Sequence, residues 1–204
     1  MIKLLNSDKI YVKVENEIEK FLTLLIIEKF DLVEMKIIRN VYSKKDGKFL
    51  DRIEAFAKIR IEKVSFEKSR IVGKIEEVSS ERLDKGHHGE NIDIGKELVI
   101  TKKSGVNDNI KLILEKIRNF EIGKMNEIKE IVSKASSRFI TDKNKIEEYL
   151  EYGIIERLYV CKENFFEFLQ KIIKALNQNA KIVLLSEKEF CEKMKIAALL
   201  RFEI

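Results

Sequence analysis

The chain has 204 residues, which is enough for one or two domains with a buried core. Its formal net charge of +5 is spread evenly, because residues 1–103 carry 22 basic and 19 acidic residues and the rest carry 18 and 16. Neither half is a polycationic tail, so any contact with nucleic acid must come from local loops.

Two further features bound the class of protein. Cys161 and Cys191 form no CxxC pair, which predicts buried, reduced thiols in a cytosolic protein. The longest strongly apolar run, residues 21–27, is too short to span a membrane, and the sequence shows no signal peptide. We therefore expect a cytoplasmic protein.

The first hundred residues predict a small, curled β-structure. Asn16 and Glu19 form an N-x-x-E capping pattern, which predicts a helix after Asn16. A change of parity near Lys63 predicts a bulge within a long strand. Period-two alternation and turn residues predict strands at residues 2–5, 10–14, 32–41, 52–61, 70–78 and 97–101. Short strands with glycines between them indicate a small sheet or barrel.

The predicted hairpin tip at residues 43–48 carries the candidate RNA contacts. A tight Asp46-Gly47 turn projects the surrounding cations without burying them, and these are Lys44, Lys45, Lys48 and Arg52. The alternative is a solvated tip with no ligand. Tyr42 and Phe49 flank the tip, where they either stack on bases or pack at the strand ends.

From residue 106 onward the apolar period changes to 3.6. This predicts helices at residues 106–118, 125–135, 143–152, 164–176 and 187–194, and strands at 154–161, 181–185 and 196–202. The last two strands hold fully apolar runs, which predict central parallel strands covered on both faces. One helix face cannot bury all of Phe165, Phe166, Phe168 and Leu169. We therefore expect at least one to face outward as a protein-contact anchor, with Phe165, Phe166 and Phe168 as the candidate contacts.

No pattern in the sequence indicates catalysis. His87 and His88 could bind a metal together with Asp84 or Glu90, but adjacent histidines on a strand point to opposite faces. The alternative is a polar or RNA-facing turn. The sequence contains no glycine-rich phosphate loop and no Ser-His-Asp order, so we expect no enzyme, no metal and no cofactor.

Several phrases of the sequence resemble the Pelota family, the mRNA-surveillance and ribosome-rescue factors related to class-I release factors. In the first half, the step Asp31-Leu32-Val33 is similar to the family's, and Arg39 lies where the family is usually basic. The closing phrase is matched by Gly86, His87, Ile92, Gly95, Glu97, Leu98, Ile100 and Lys102. The ending IAALLRFEI resembles the family's terminal phrase. The sequence departs from the family at Phe30 and at Met194-Lys195, where the family has glycines.

The resemblance implies a two-domain α+β fold. Residues 1–104 would form an Sm-like β-barrel domain, 105–123 a linker helix, and 124–204 a release-factor-type α/β domain with an α-β-α sandwich. The loops of the first domain would enter the decoding site of the small ribosomal subunit. The RNA contacts would then be Arg39, Lys44, Lys45, Lys48, Arg52, His87 and His88.

The resemblance also implies partners, with one element missing. Family members act with the ribosome and an ABC-type recycling ATPase, and a central domain contacts a translational GTPase of the elongation-factor type. Here the sequence leaves room for one helix between the two domains, so the main GTPase contact is absent. It also contains no Gly-Gly dipeptide, which excludes peptide release by the release-factor Gly-Gly-Gln. A rescue factor and a silencing or hibernation factor that only occupies the decoding site both remain open, with an endonuclease a distant third.

Overall fold

A computed structural model describes residues 1–43, 47–83, 85–134 and 136–203. The chain divides into two compact units, Met1–Lys111 and Leu112–Ile204, which are treated separately. The first unit contains β1 (Ile2–Leu4), β2 (Lys9–Lys13), α1 (Glu17–Ile26), β3 (Leu32–Tyr42), β4 (Phe49–Ser65), β5 (Arg70–Val78), β6 (His87–Asn91) and β7 (Glu97–Thr101). The helix α2 (Asp108–Glu115) spans the boundary.

The first unit is built on one antiparallel sheet with the strand order β1-β2-β7-β3-β4-β5-β6. Among the described residues, β1 and β6 are edge strands that do not pair with each other. The described part of the first unit is therefore an open sheet, whereas the sequence predicted a closed Sm-like barrel. The expected histidine turn is also wrong, because His87 and His88 open strand β6, where they pair in register with Lys74 and Gly73.

The long strand β4 has the predicted bulge. Its pairing with β5 shifts register between Ile61 and Lys63, which leaves Glu62 out of the ladder. Ile61 is fully buried, whereas Val64 lies on the other parity. The bulge thus reconciles two apolar runs that a regular strand would place on opposite faces.

The helix α1 begins as the sequence predicts. The side-chain oxygen of Asn16 accepts a hydrogen bond from the backbone N–H of Glu19 at 2.9 Å, which caps the helix. Every residue from Phe21 to Ile26 is buried, so the helix is enclosed nearly all round and not only along one stripe. The buried hydroxyl of Thr23 donates to the carbonyl of Glu19 at 2.5 Å.

A buried ion pair joins Asp31, just before β3, to Lys102, just after β7. The Nζ atom of Lys102 lies 2.6 Å from Asp31 Oδ2 and 2.7 Å from Glu28 Oε2, and it donates to the carbonyl of Ile26 at 2.7 Å. The Lys102 side chain is 0% exposed and that of Asp31 is 2% exposed. Asp31 also accepts the backbone N–H groups of Glu28 and Lys103. The cluster satisfies the buried charge through paired hydrogen bonds.

The second unit is an α/β structure. It contains β8 (Phe120–Ile122), α3 (Met125–Lys134), β9 (Phe139–Ile140), α4 (Lys143–Tyr152), β10 (Ile155–Cys161), α5 (Leu169–Asn177), β11 (Lys181–Leu185), α6 (Lys188–Lys193) and β12 (Ile196–Leu200). The sheet has the order β8-β11-β10-β12-β9. Helices α3 and α6 contribute to a core cluster on one face, and α4 and α5 pack against β12 and β11. Asp142 caps α4, and Gly153 ends it in the left-handed conformation (φ 70°).

Two features of this sheet differ from the sequence-based expectation. The predicted linker helix stops at Glu115, and Phe120–Ile122 forms the edge strand β8, parallel to β11. Strand β12 is antiparallel to β10, although its apolar run predicted a parallel strand. Only residues 186–195 connect β11 to β12, and a parallel crossover ordinarily needs a dozen residues or more.

The two cysteines are paired, which corrects the prediction of free thiols. Cys161, the last residue of β10, forms a disulfide with Cys191 of α6. Both residues are buried, as predicted, but their Cα atoms lie 5.2 Å apart, which brings the sulfurs into bonding range. Sequence spacing alone could not show this contact. Among the described residues, no helix has the length and apolar character to cross a membrane.

The backbone takes a glycine-like conformation at Phe30 and Lys195, two of the three positions where the resembling family has glycines. Phe30 has φ 76° and Lys195 has φ 61°, both in the left-handed region that favours glycine. Lys195 follows the end of α6, and its N–H donates to the carbonyl of Phe190 at 3.0 Å. This is the position at which a left-handed residue ends many helices.

Candidate nucleic-acid interface

The hairpin between β3 and β4 presents the predicted cations, as far as the described residues reach. The backbone N–H of Ser43 donates to the carbonyl of Lys48 at 2.8 Å, and that of Gly47 donates to Ser43 at 2.9 Å. Gly47 takes φ 66°, a left-handed conformation that glycine adopts without strain. Lys48 and Arg52 are exposed. The predicted contacts Lys44 and Lys45 lie outside the described residues.

An exposed aromatic pair stands at the base of this hairpin. The rings of Tyr42 and Phe49 meet edge to face with centroids 6.1 Å apart. Their residues are 54% and 58% exposed, so they pack on each other and not into the core. The β3–β4 pairing shifts register here, because Val41 faces Asp51 while Tyr42 faces Phe49. A bulge of this kind turns side chains away from their regular direction.

Arg39 is the point at which the core face of β3 becomes charged. Val33, Met35 and Ile37 occupy the same parity and are buried, and Arg39 is the next residue on that face. Its guanidinium forms an ion pair with the buried carboxylate of Glu90. Burial, with the nearby charge of Arg70, lowers the pKa of Arg39 from its usual value.

The backbone carbonyl of Gly89 is shared by Arg39 and Arg70. It accepts from Arg70 at 3.1 Å and from Arg39 at 3.4 Å. Two guanidinium groups thus share one carbonyl and only Arg39 also pairs with a carboxylate, which places more positive than negative charge at this end of the sheet.

A cleft brings two of the predicted RNA contacts together. It has a volume of about 310 Å³ and is lined by Arg39 and His88, with Tyr42 and Ile75 among the other walls. Arg82, from the loop after β5, also lines it and had not been predicted as a contact. The single signal for it in the sequence is a basic residue in a polar loop, which is too common to be diagnostic.

The other predicted histidine lies apart from this cleft. The Nε2 atom of His87 is 2.9 Å from Glu62 Oε1, and the imidazole is exposed. The two histidines are adjacent on a strand, so their side chains point to opposite faces. Within the described part of the chain, which leaves out Asp84, no three His, Cys, Asp or Glu residues are grouped so as to hold a metal ion.

The three phenylalanines predicted as protein contacts separate into two groups. Phe165 and Phe168 are buried, which makes them core residues and corrects their assignment as contacts. Phe165 stacks on Phe120 with centroids 6.4 Å apart, and Lys143 lies over the ring of Phe168. Phe166 is 57% exposed and faces outward. These residues lie in turns that follow a short 3-10 helix at Lys162–Asn164, and the predicted helix begins only at Leu169.

These features define a two-unit α+β protein, with an open sheet that carries a basic hairpin and a separate α/β unit. No protein-family model matches the sequence, and no curated protein matches it. Solved structures do match, over nearly the full length of both chains.

A model of ribosome-bound archaeal Pelota and ABCE1 shares 14% identity with a TM-score of 0.56, and the alignment covers 100% of this chain and 99% of that chain. Archaeoglobus fulgidus Pelota shares 17% identity with a TM-score of 0.51 and coverage of 100% and 98%. Dom34 of S. cerevisiae, a translation termination-like factor that interacts with Hbs1, shares 11% identity with a TM-score of 0.52 and coverage of 100% and 97%. The chain therefore has a Pelota-family fold.

Proposed function

We propose that the protein is a cytoplasmic ribosome-binding factor that recognises stalled or vacant ribosomes through the small-subunit decoding site. It would act in ribosome rescue and mRNA surveillance. The observation that carries the proposal is the end-to-end similarity of this two-unit chain to Pelota structures, one of them a ribosome-bound model. The open sheet of the first unit is the counterpart of the family's Sm-like barrel, and it supplies the RNA contacts.

The charge distribution supports this role for the hairpin. Lys48 and Arg52 are exposed, and Lys44 and Lys45 stand between Ser43 and Gly47 in the sequence. Arg39 and His88 meet in the neighbouring cleft. Because lysine and arginine bind RNA mainly through its phosphates, a local cluster of cations suffices although the net charge is low.

The proposed role is binding and not catalysis. The sequence has no Gly-Gly dipeptide, so it lacks the motif with which release factors hydrolyse peptidyl-tRNA. The chain would recruit other proteins instead.

The names of the similar structures suggest which partners these are. Archaeal Pelota is described on the ribosome with ABCE1, and Dom34 is described as interacting with Hbs1. We propose an ABC-type recycling ATPase as the partner of the second unit, which would dock at the outward Phe166. A translational GTPase ranks second, because only residues 102–119 separate β7 from β8 and leave no room for a central domain.

The salt dependence of binding to isolated small ribosomal subunits tests the hairpin. A variant with Lys44→Ala, Lys45→Ala and Lys48→Ala should bind more weakly. Its log–log salt slope should fall by roughly 0.7 to 0.9 for each lost phosphate contact. The control removes three exposed lysines of the second unit, with the changes K134A, K188A and K193A.

The comparison of these two variants decides the proposal. Equal affinity and slope for the hairpin variant and the wild type would exclude the hairpin from the interface. Equal losses of affinity in both variants would show that binding depends on net charge and not on the hairpin.

The same short connection between the units favours one alternative, a factor that occupies the decoding site without recruiting a recycling partner. Binding of the ABC-type ATPase separates the two functions. A pull-down without ATPase, both on ribosomes and off them, would favour the silencing or hibernation role.

A further inference from the structure

The cleft at the hairpin end of the first unit is a continuation of its core face. On β3, Arg39 follows the buried Ile37 on the same parity. On β6, His88 lies on the parity of the buried Glu90, and it pairs in register with Gly73 of β5. The interior of the sheet therefore changes from apolar to polar side chains as it opens to solvent. Mouths of curled sheets are common places for small ligands.

The walls of the cleft differ in chemistry. The exposed residue Tyr42 is part of the lining, and the amide nitrogen of Asn40 lies 3.5 Å from its hydroxyl. Arg82 and His88 line the same cleft. Arg82 is held by Asp51 at 3.2 Å, and both side chains are more than half exposed. An exposed pair of this kind contributes little, so the guanidinium is able to turn to a stronger acceptor.

We propose that this cleft binds one unstacked nucleotide of single-stranded RNA. The base would lie on the ring of Tyr42, with the amide of Asn40 at its edge, and a phosphate would replace Asp51 on Arg82. The volume of about 310 Å³ is at the lower end of the range for small-ligand sites, which suits one nucleotide and not two. Proteins recognise single-stranded RNA by stacking splayed bases on aromatic rings beside arginines. The choice of RNA as the ligand rests on the proposed function.

Titration of the full-length protein with hexauridylate and hexaadenylate, followed by amide NMR shifts, tests this inference. Signals of residues 39–42, 82–83 and 88 should move together. Tyr42→Ala should weaken binding about tenfold, whereas Tyr42→Phe should retain it, because stacking needs the ring and not the hydroxyl. Arg82→Ala should reduce the salt slope by about 0.7. Phe56→Ala is the matched control, since Phe56 is also an exposed aromatic residue of this sheet but does not line the cleft.

Each result bears on the proposal. Equal losses in Tyr42→Ala and Phe56→Ala, or shifts that avoid the cleft, would overturn it. An equal response to a phosphoserine hexapeptide would show an anion site and not a nucleotide site, and would overturn it as well.

Small-subunit binding by the same variants separates this inference from the proposed function. If the hexanucleotides fail to bind but small-subunit binding remains dependent on the hairpin lysines, the cleft proposal fails and the function stands. If the cleft binds hexanucleotides but the protein does not bind ribosomes, the cleft proposal is supported and the proposed function fails.

Discussion

Replacing Asp31 with alanine should strongly destabilise the first unit. The change leaves the ammonium group of Lys102 enclosed, with its side chain 0% exposed, and removes its shortest carboxylate contact. It also leaves two backbone N–H groups, those of Glu28 and Lys103, without their acceptor. Breaking a buried ion pair by removing one partner costs about 3–5 kcal/mol.

The structure places the expected loss at the lower end of that range. Glu28 remains 2.7 Å from Lys102 Nζ, and its half-exposed carboxylate still neutralises part of the charge. We therefore expect a loss of about 3 kcal/mol, which is a large share of the roughly 5–15 kcal/mol that stabilises a domain.

Urea unfolding followed by far-UV circular dichroism, with amide NMR signals to resolve the two units, measures this loss. A double-mutant cycle combines Asp31→Ala with Lys102→Met. The double variant should lose less stability than the two single variants lose together, because no lone charge is then buried. The control is Glu77→Ala, which breaks the exposed pair with Lys58 and should change little. If Asp31→Ala costs no more than that control, the buried pair does not stabilise the sheet as argued.

Three further predictions concern the second unit. Cys191→Ser should cost about 3–4 kcal/mol in its unfolding under oxidising conditions, as expected for a closed loop of 30 residues, and nothing when a reductant is present in both samples. Phe166→Ala should leave thermal stability unchanged and weaken ATPase binding about tenfold, because Phe166 is exposed. Phe165→Ala should lower the unfolding free energy by about 3–5 kcal/mol, because Phe165 is buried. The reverse pattern would contradict the assignment of Phe166 as the contact and Phe165 as a core residue. Lys195→Gly should raise the unfolding free energy by about 0.5–1 kcal/mol, because relief of left-handed strain exceeds the entropy cost of glycine; a loss would show that the side chain contributes at this site.

Local rules predict well those elements whose signals lie within a few residues. Asn16 with Glu19 fixed the start of α1, and Asp142 with Gly153 encloses α4 within the predicted bounds. The parity change near Lys63 located the bulge in β4. At both helix starts the side chain next to the helix also makes the capping contact, as in the capping hydrogen bond of Asn16.

The missed elements depend on contacts between distant residues. Strands β8 and β9 have three and two residues, which is too short for any periodicity, and they exist because the sheet offers them an edge. The direction of β12 follows from the short connection before it and not from its apolar run. Arg39 and His88, which both line the cleft, are 49 positions apart in sequence (88 − 39), so the cleft has no local signature.

Several residues that carry the family resemblance serve the fold and cannot carry the function. Asp31 and Lys102 belong to two separate phrases of the resemblance, yet they meet in one buried ion pair that no ligand can reach. Phe30 and Lys195 replace family glycines but keep the left-handed backbone that glycine would favour. These positions report the fold, whichever ligand the protein binds. The function must therefore be tested on exposed side chains, at the hairpin cations and at Tyr42 beside the cleft, because loops and rims can change while the sheet that supports them stays the same.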